Sequence, residues 1–373
     1  MDALTTPSNW QRVRLGDIGK PCMCKRVMKH QTTRYGEIPF YKIGTFGNTA
    51  DAFISKKLFL EYKTKYSFPK KGDILISASG TIGRAVIYDG KPAYFQDSNI
   101  VWIDNDETLV KNDFLFYAYS NIKWNTEHTT ILRLYNDNFR NTLIPLPPLN
   151  EQIAIANILS DMDRYLYSLD ALILKKESVK KALSFELLSQ RKRLKGFNQS
   201  WQKVRLGDIA NYLTSNLSVE QITQQGKIKV YDVNNFIGYT DTTFISDKPY
   251  ISIVKDGSVG RVRILPPKTN ILSTMGALIA NHKTTTEFLF YLLSNFDFKN
   301  FTSGSIIPHI YFKDYKEKTI FLPSLNEQIA IANILSALDH EIISLKNKKR
   351  QFENIKKALN HDLMSAKIRV LKK

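Results

Sequence analysis

LNEQIAIANILS occupies residues 149–160 of a 373-residue chain and returns unchanged at residues 325–336. Packing a helix against a core fixes the polarity of one face, not the identity of twelve consecutive residues. The stretch therefore marks a unit that the chain carries twice. A length of 373 residues suits two domains, each large enough to bury a core of its own.

Working outward, LPPL (146–149) and LPSL (322–325) lead into the two copies. Asn150 and Asn326 are placed to cap a helix N-terminus, and Glu151 and Glu327 bring negative charge to its positive end. Apolar residues then recur in steps of four and three. They are Ile155, Leu159, Met162, Leu166, Leu169 and Ile173 in the first copy. The second has Ile331, Leu335, Leu338, Ile342 and Leu345, resuming at Phe352, Leu359 and Leu363. Such a seam is of the narrow coiled-coil type and predicts helices of roughly forty residues, about 60 Å long. A seam so thin needs a partner helix, and the other copy in antiparallel pairing is the nearest candidate. Two amphipathic helices, each packed on its own domain, would carry a wider apolar stripe. Basic stretches close both helices, QRKRLKGF (190–197) and AKIRVLKK (366–373), with Gly196 as a stop signal for the first.

The repeat extends upstream. NWQRVRLGDI (9–18) returns as SWQKVRLGDI (200–209), a displacement of 201 − 10 = 191 between the tryptophans, against 325 − 149 = 176 for the helix starts. IPFYKIGTF (38–46) is echoed by IKVYDVNNF (228–236), SGTIGRAVI (79–87) by DGSVGRVRI (256–264), and FLFY at 114 by FLFY at 288. Order is kept while the displacement drifts, so each unit reads as a diverged globular part followed by a near-identical helix. Short runs such as GDILISAS (72–79) and PYISIV (249–254), bounded by Gly, Pro, Asn and Asp, predict strands of a mixed α+β domain.

Lys and Arg number 53 against 35 Asp and Glu, a formal charge of +18, which favours a polyanionic partner. Nucleic acid is the first reading and an anionic membrane surface the second. The N-terminus lacks a basic start followed by an apolar run, and no segment approaches a membrane span in length. A soluble, cytoplasmic protein is expected. Cys22 and Cys24 lie beside Lys25 and Arg26 with no second Cys or His pair at zinc spacing, so free thiols are expected and no metal site.

Two diverged domains, each followed by a long helix opening with L-P-x-L-x-E-Q, resemble the specificity subunit of type I restriction-modification systems. The resemblance covers essentially the whole chain. LPPLNEQIAIANILSDMD and LPSLNEQIAIANILSALD carry it, with WQRVRLGDI, WQKVRLGDI and the G-x-[IV]-G-R turns in support. It implies an α+β fold of two pseudo-symmetric target recognition domains (1–148 and 195–324), separated by a long antiparallel two-helix coiled coil (149–194 and 325–373). Double-stranded DNA is the implied ligand, each domain reading half of a split target. Two methyltransferase subunits would dock on the helices and flip a base in each half for N6-adenine methylation, and restriction (motor) subunits could join them. The chain itself would hold no cofactor; S-adenosylmethionine, ATP and Mg²⁺ would belong to the partners. The sequence departs from the pattern at two places, one of them the short spacer QRKRLKGF (190–197), which bears on the separation of the half-sites. GSIIPHI (304–310) precedes the second helix in the usual form, whereas the first unit has TTILRLY (129–135), with Leu132 and Arg133 where Pro308 and His309 stand.

Arg84 and Arg261 follow G-x-[IV]-G, where glycines would let backbone N–H groups approach a phosphate that the arginine neutralises. The plain alternative is a hairpin turn and a surface arginine. Tyr41 and Lys42, and their counterparts Tyr231 and Asp232 with Asn234 and Asn235, stand at a strand end leading into a loop. Lys can meet guanine acceptors, Asn adenine, and Asp the cytosine amino group. The two tyrosines could equally be core aromatics. Lys25, Arg26 and Lys29, next to His30, form a basic run suited to phosphate. His309 beside Pro308 completes the contact candidates, although a lone histidine is more often structural.

A catalytic DNA enzyme is the rival class. An amino-methyltransferase needs [DN]-P-P-[YF], and LPPL at 146 and LPPK at 265 lack its leading residue; the G-K-[ST] of a nucleotide-driven motor does not occur. Asp51, Glu61 and Lys63 have the order of a nuclease metal site, but no convincing strand holds them. The chain reads as non-catalytic. A DNA-recognition subunit of another bipartite-site system is the alternative, and a stand-alone DNA-modifying enzyme a more distant one.

Overall fold

Alternation along two central strands explains how each half of the chain builds two cores around one sheet. The computed structural model describes residues 10–126 and 132–371. Asn9, Thr129, Thr130, Ile131, Lys372 and Lys373, which belong to segments quoted above, lie outside the described residues. The first half runs β1 (Gln11–Arg14), α1 (Leu15–Ile18), β2 (Gly19–Met23), β3 (Ile38–Tyr41), β4 (Ala52–Ile54), α2 (Lys56–Lys65), β5 (Ile74–Ser77), β6 (Ala85–Ile87), β7 (Tyr94–Phe95), β8 (Ile100–Asn105), α3 (Asn112–Tyr119), α4 (Asn136–Asn141), β9 (Leu143–Leu146) and α5 (Leu149–Leu188). The second runs β10 (Gln202–Arg205), β11 (Ala210–Thr214), β12 (Ile228–Tyr231), β13 (Phe236–Thr240), β14 (Tyr250–Val254), β15 (Val262–Leu265), β16 (Thr269–Ile271), β17 (Met275–Ala280), α6 (Thr286–Ser294), β18 (Thr302–Ser303), β19 (His309–Ile310), α7 (Phe312–Tyr315), β20 (Thr319–Leu322) and α8 (Leu325–Met364).

The described residues of Met1–Leu169 and Lys348–Lys373 form one compact unit, and those of Asp170–Asn347 form the other. Each unit thus takes one end of each long helix. In the first, an antiparallel sheet in the order β2-β8-β5-β6 packs on a three-stranded sheet, β4-β3-β7, in which β3 and β7 are parallel. Side chains on a strand point alternately to the two faces. Accordingly Ile74 and Ile76 of β5, with Val101 and Ile103 of β8, face α3 and the first turns of α5. Leu75, Ile100 and Trp102 face the other way, into a second core with Phe40, Phe59 and Tyr94. The second unit repeats the plan with sheets β11-β17-β14-β15 and β13-β12-β16. There Ile251 and Ile253 face α6, while Tyr250 and Val254 face the three-stranded sheet. The mixed α+β class and its doubling are therefore as the sequence suggests.

The long helices pair antiparallel within each unit. In the first, Asp163 meets Lys356 and Tyr165 packs on Phe352, so rising numbers on α5 face falling numbers on α8. In the second, Lys176 pairs with Glu341 and Lys180 with Asp339. Of the seam residues, Ile155, Leu159, Leu169, Ile173, Ile331, Leu335, Ile342 and Leu363 are buried, and Met162, Leu166, Leu338, Leu345, Phe352 and Leu359 are half-buried.

Two local expectations need correction. Each helix starts one residue before the asparagine, at Leu149 and Leu325, because the carbonyls of Pro148 and Ser324 accept the first N–H bonds, from Gln152 (3.0 Å) and Gln328 (2.9 Å). Asn150 sits inside the first turn, its Oδ1 accepting from the Glu151 N–H. Nor does Gly196 stop α5. The helix ends at Leu188, where Gln190 takes a left-handed φ of 62° and the Lys192 N–H reaches back to the Glu186 carbonyl. Ala366, 366 − 190 = 176 residues on, closes α8 with a φ of 56°.

The glutamates do more than complement the helix dipole. Glu151 is only 2% exposed; it accepts from Trp10 Nε1 (3.1 Å) and from two guanidinium nitrogens of Arg369 (2.7 and 2.9 Å). Glu327 does the same with Trp201 (3.0 Å) and Arg193 (3.1 and 2.6 Å). Gln152 and Gln328, both fully buried, tie the strand-to-helix loops before α3 and α6 through Lys111 N–H, the Leu109 carbonyl, Thr285 N–H and the Lys283 carbonyl. The E-Q pair of the repeat is thus a buried polar lock, and every donor and acceptor in it finds a partner.

Candidate nucleic-acid interface

Because β3 and β7 run parallel, the loops that follow them, residues 42–48 and 96–99, leave the same end of their sheet. They are fastened together there, Ile43 N–H donating to Gln96 Oε1 (2.9 Å) and Lys42 N–H to Thr45 Oγ1 (3.1 Å). The segment entering α4 joins them: Arg133 bridges Ser79, and Leu134 N–H donates to the Ala78 carbonyl (2.9 Å). The result is a cleft of about 460 Å³ lined by Arg26, Lys29, Lys42 and Arg133 together with Gln96, Asp97 and Asn99. Four cations face one carboxylate there, a balance that suits a phosphate chain. Asp97 holds Arg26 (2.8 Å), Asp51 holds Lys42 (2.9 Å), and Asn99 Oδ1 accepts from Ser79 Oγ (2.7 Å).

The second unit builds the equivalent end from the loops after the parallel pair β12 and β16. Asp232 Oδ1 accepts the N–H groups of Asn234 (2.7 Å) and Asn235 (2.6 Å), so its carboxylate shapes the turn that exposes both asparagines. Arg263 lies over the Tyr231 ring at 5.2 Å and donates to the Asn234 carbonyl (3.0 Å). Where Arg133 bridges Ser79 in the first unit, His309 bridges Asp256 in the second, and His309 Nδ1 lies 2.7 Å from Asp256 Oδ1.

The two glycines of each G-x-[IV]-G turn have different duties. Gly83 (φ 82°) and Gly260 (φ 80°) lie against aromatic rings: a Cβ would fall 2.0 Å from Trp124 Nε1 and 2.5 Å from Phe298 Cδ2. A Cβ on Gly257 (φ 84°) would meet open space and one on Gly80 (φ 65°) only Ile43 at 3.8 Å, so neither glycine is required by a close neighbour. Arg84 and Arg261 are exposed beyond them. Arg84 lies over Gly47, and Arg261 lines a shallow groove with Lys299 and Thr302. Lys25 stands apart from the cleft, its ammonium 5.0 Å from the Tyr66 ring centre. Tyr41 is half-buried and stacks on Phe95 at 5.8 Å.

Gln96, Asn99 and Lys299 were not singled out from the sequence. Arg133 was noted only as a departure, although its alignment with His309 is the signal that places it. The nuclease-like trio does not share a site: Asp51 pairs with Lys42, Glu61 with Lys65, and Lys63 lies over Phe59 and Phe68. Among the described residues, no helix is long and apolar enough to cross a membrane.

A family model for the type I restriction modification DNA specificity domain matches residues 7–176 and again residues 198–354. The chain belongs to this family. It is a type I restriction-modification specificity subunit with two target recognition domains. A putative type I restriction enzyme MjaX specificity subunit from Methanocaldococcus jannaschii is 30% identical over 98% of this chain and 95% of its own. The MjaVIII specificity subunit of the same organism is 26% identical over 99% and 95%. A putative specificity subunit from Haemophilus influenzae is 62% identical over 152 residues, 40% of each chain. Among solved structures, the S subunit of a type I system from M. genitalium shares the fold at a TM-score of 0.64 and 20% identity, covering 98% of this chain and 99% of that one. A chain from a structure describing complex assembly and conformational transition of a type I restriction-modification system aligns at 0.57 with 15% identity, over 96% and 98%.

Proposed function

We propose that each globular part of this specificity subunit reads one half of a bipartite site in double-stranded DNA, and that the repeated helix starts seat two copies of one methyltransferase subunit. The readers are residues 1–148 and 195–324; residues 149–194 and 325–373 carry the partners. In the first unit Arg26, Lys29, Lys42 and Arg84 meet phosphate or base edges. Tyr231, Asp232, Asn234, Asn235, Arg261 and His309 serve the second, and Lys25 and Tyr41 support the loops beside them. The chain performs no catalysis. Methyl transfer from S-adenosylmethionine and ATP- and Mg²⁺-dependent cleavage belong to the methyltransferase and restriction subunits, in the cytoplasm.

One observation carries this reading. Within LNEQIAIANILS, the buried residues Glu, Gln, Ile, Ala and Leu are accounted for by the lock and the core. Leu149, Asn150, Ile153 and Asn157, and their equals Leu325, Asn326, Ile329 and Asn333, are exposed, yet they too are identical between units that otherwise diverge. Exposed residues that repeat although neither the lock nor the core uses them fit one surface on a partner bound twice. Leu149 and Ile153, four apart, make an apolar anchor pair on each helix.

Mapping methylated bases in the source genome with and without this gene tests the proposal. A bipartite, asymmetric motif should vanish on deletion. An unchanged methylation map, or methyl transfer by the purified chain alone, would contradict it.

A further inference from the structure

Ile306 is 93% exposed, the most exposed large apolar side chain among the described residues, and Ile307 beside it is 55% exposed. They stand at the tip of the β18–β19 hairpin, on a loop held in place from both sides. Gly304 turns at φ 90° so tightly that a Cβ would fall 2.2 Å from the Ile307 carbonyl oxygen. Ser303 pairs with His309, and the Pro308 carbonyl accepts the Gly257 N–H (2.9 Å), which fixes the hairpin to the open glycine turn. Such bracing gives nothing to the core, because neither isoleucine is buried. Asp256 pairs with His309 on one strand of the hairpin, and two cations stand at its base. Arg261 and Lys299 line the groove at Thr302, at the base of the hairpin, and Lys255 accepts the Ile310 N–H through its carbonyl.

We infer that Ile306 is a wedge that enters between two base pairs of the half-site read by the second unit, with Ile307 against the adjoining sugar. An uncharged, apolar, rigid tip with Arg261 and Lys299 at the base of its hairpin matches a base step flanked by phosphates. Apolar side chains inserted at such steps unstack and kink the duplex, and the cost depends on the sequence being deformed. The wedge therefore contributes to specificity at a step that the hydrogen-bonding residues need not touch. A docking site on a protein partner would not need the two cations at the base of the hairpin.

The inference rests on the DNA-reading assignment, and its test separates the two. The full chain is assembled with its methyltransferase subunits on a duplex bearing the mapped target, with 2-aminopurine at successive positions other than the methylated adenine. A fluorescence rise is expected at one step of the second unit's half-site, lost in Ile306→Ser and kept in Ile306→Met, with several-fold weaker binding for Ile306→Ser alone. A rise that survives in Ile306→Ser, or no rise in a complex that binds the duplex in gel shift, overturns the wedge and leaves DNA reading intact. Failure of Ile306→Ser to hold the methyltransferase subunits on gel filtration also overturns it, by assigning the tip to a protein contact. A wild-type complex that does not bind the duplex refutes the reading beneath.

Discussion

The supporting parts of the two units are nearly superimposable in chemistry, while their loop ends are not. Under α3, Tyr117 donates to Asp163 (2.8 Å), which Lys356 also holds; under α6, Tyr291 donates to Asp339 (2.8 Å), which Lys180 holds. In both, burial first and the neighbouring carboxylate second push the tyrosine hydroxyl above its ordinary pKa, so it remains a donor. At the loop ends the likeness stops. Lys29, His30 and Arg34 of the first unit correspond by position to Val219, Glu220 and Gln224 of the second, although Gln31 and Gln221 cap the same turn through Met28 N–H (2.8 Å) and Ser218 N–H (2.9 Å). Arg133 gives way to His309 on the same bridge. Identity thus follows what both units must do alike, and divergence follows what each must do alone. The loop end of the first unit presents Arg26, Lys29, Lys42 and Arg133, that of the second two amides, a histidine and an apolar tip.

The comparison can be broken most severely at the exposed anchors. Ile153→Asp with Ile329→Asp should leave the chain folded by circular dichroism and abolish methyltransferase assembly on gel filtration, while either change alone should leave one partner bound. Loss of both partners from a single change would show that the sites are not equivalent.

Next in size is the polar lock. Glu151→Ala and Glu327→Ala each strand a partly buried arginine and an indole N–H, a loss of about 3 kcal/mol by analogy with broken buried pairs. Denaturant midpoints should fall equally for the two variants. A much smaller loss at one of them would mean that its lock is not shared in energy as it is in geometry.

The glycine turns come third. Gly83→Ala meets Trp124 and a left-handed backbone, at a cost of about 3 kcal/mol, whereas Gly80→Ala, which meets only Ile43 at ordinary contact distance, should cost about 1 kcal/mol. Thermal unfolding of the two variants distinguishes them, and Gly80→Ala should weaken DNA binding more than its stability loss explains. Last, and in binding rather than stability, Arg133→Ala should cost about 1–3 kcal/mol of discrimination at one position of the first half-site and nothing at the second.

Much of this was legible in the sequence for a physical reason. A seam in steps of three and four, and twelve identical residues, are local patterns, so the helices and the doubling could be read directly. The lock could not, because Trp10 and Glu151 lie 141 residues apart and Arg369 joins them from the far end of the chain. Their repetition as Trp201, Glu327 and Arg193 was visible, but repetition does not say which residues meet. Likewise Gln96, Asn99 and Arg133 converge only through the parallel pairing of β3 with β7 and a bridge to Ser79. Neither leaves a mark on local periodicity. That Asp232 also shapes its own turn, one carboxylate oxygen accepting two backbone N–H groups, could not be read from the sequence either.

The claim that two like frames carry two independent readers is tested most directly by exchanging one reader. Residues 20–145 are replaced with the matching part of another specificity subunit, and methylated bases are mapped across the genome. One half of the recognised motif should change and the other should stay as it was. A change in both halves, or in neither, would contradict independent reading.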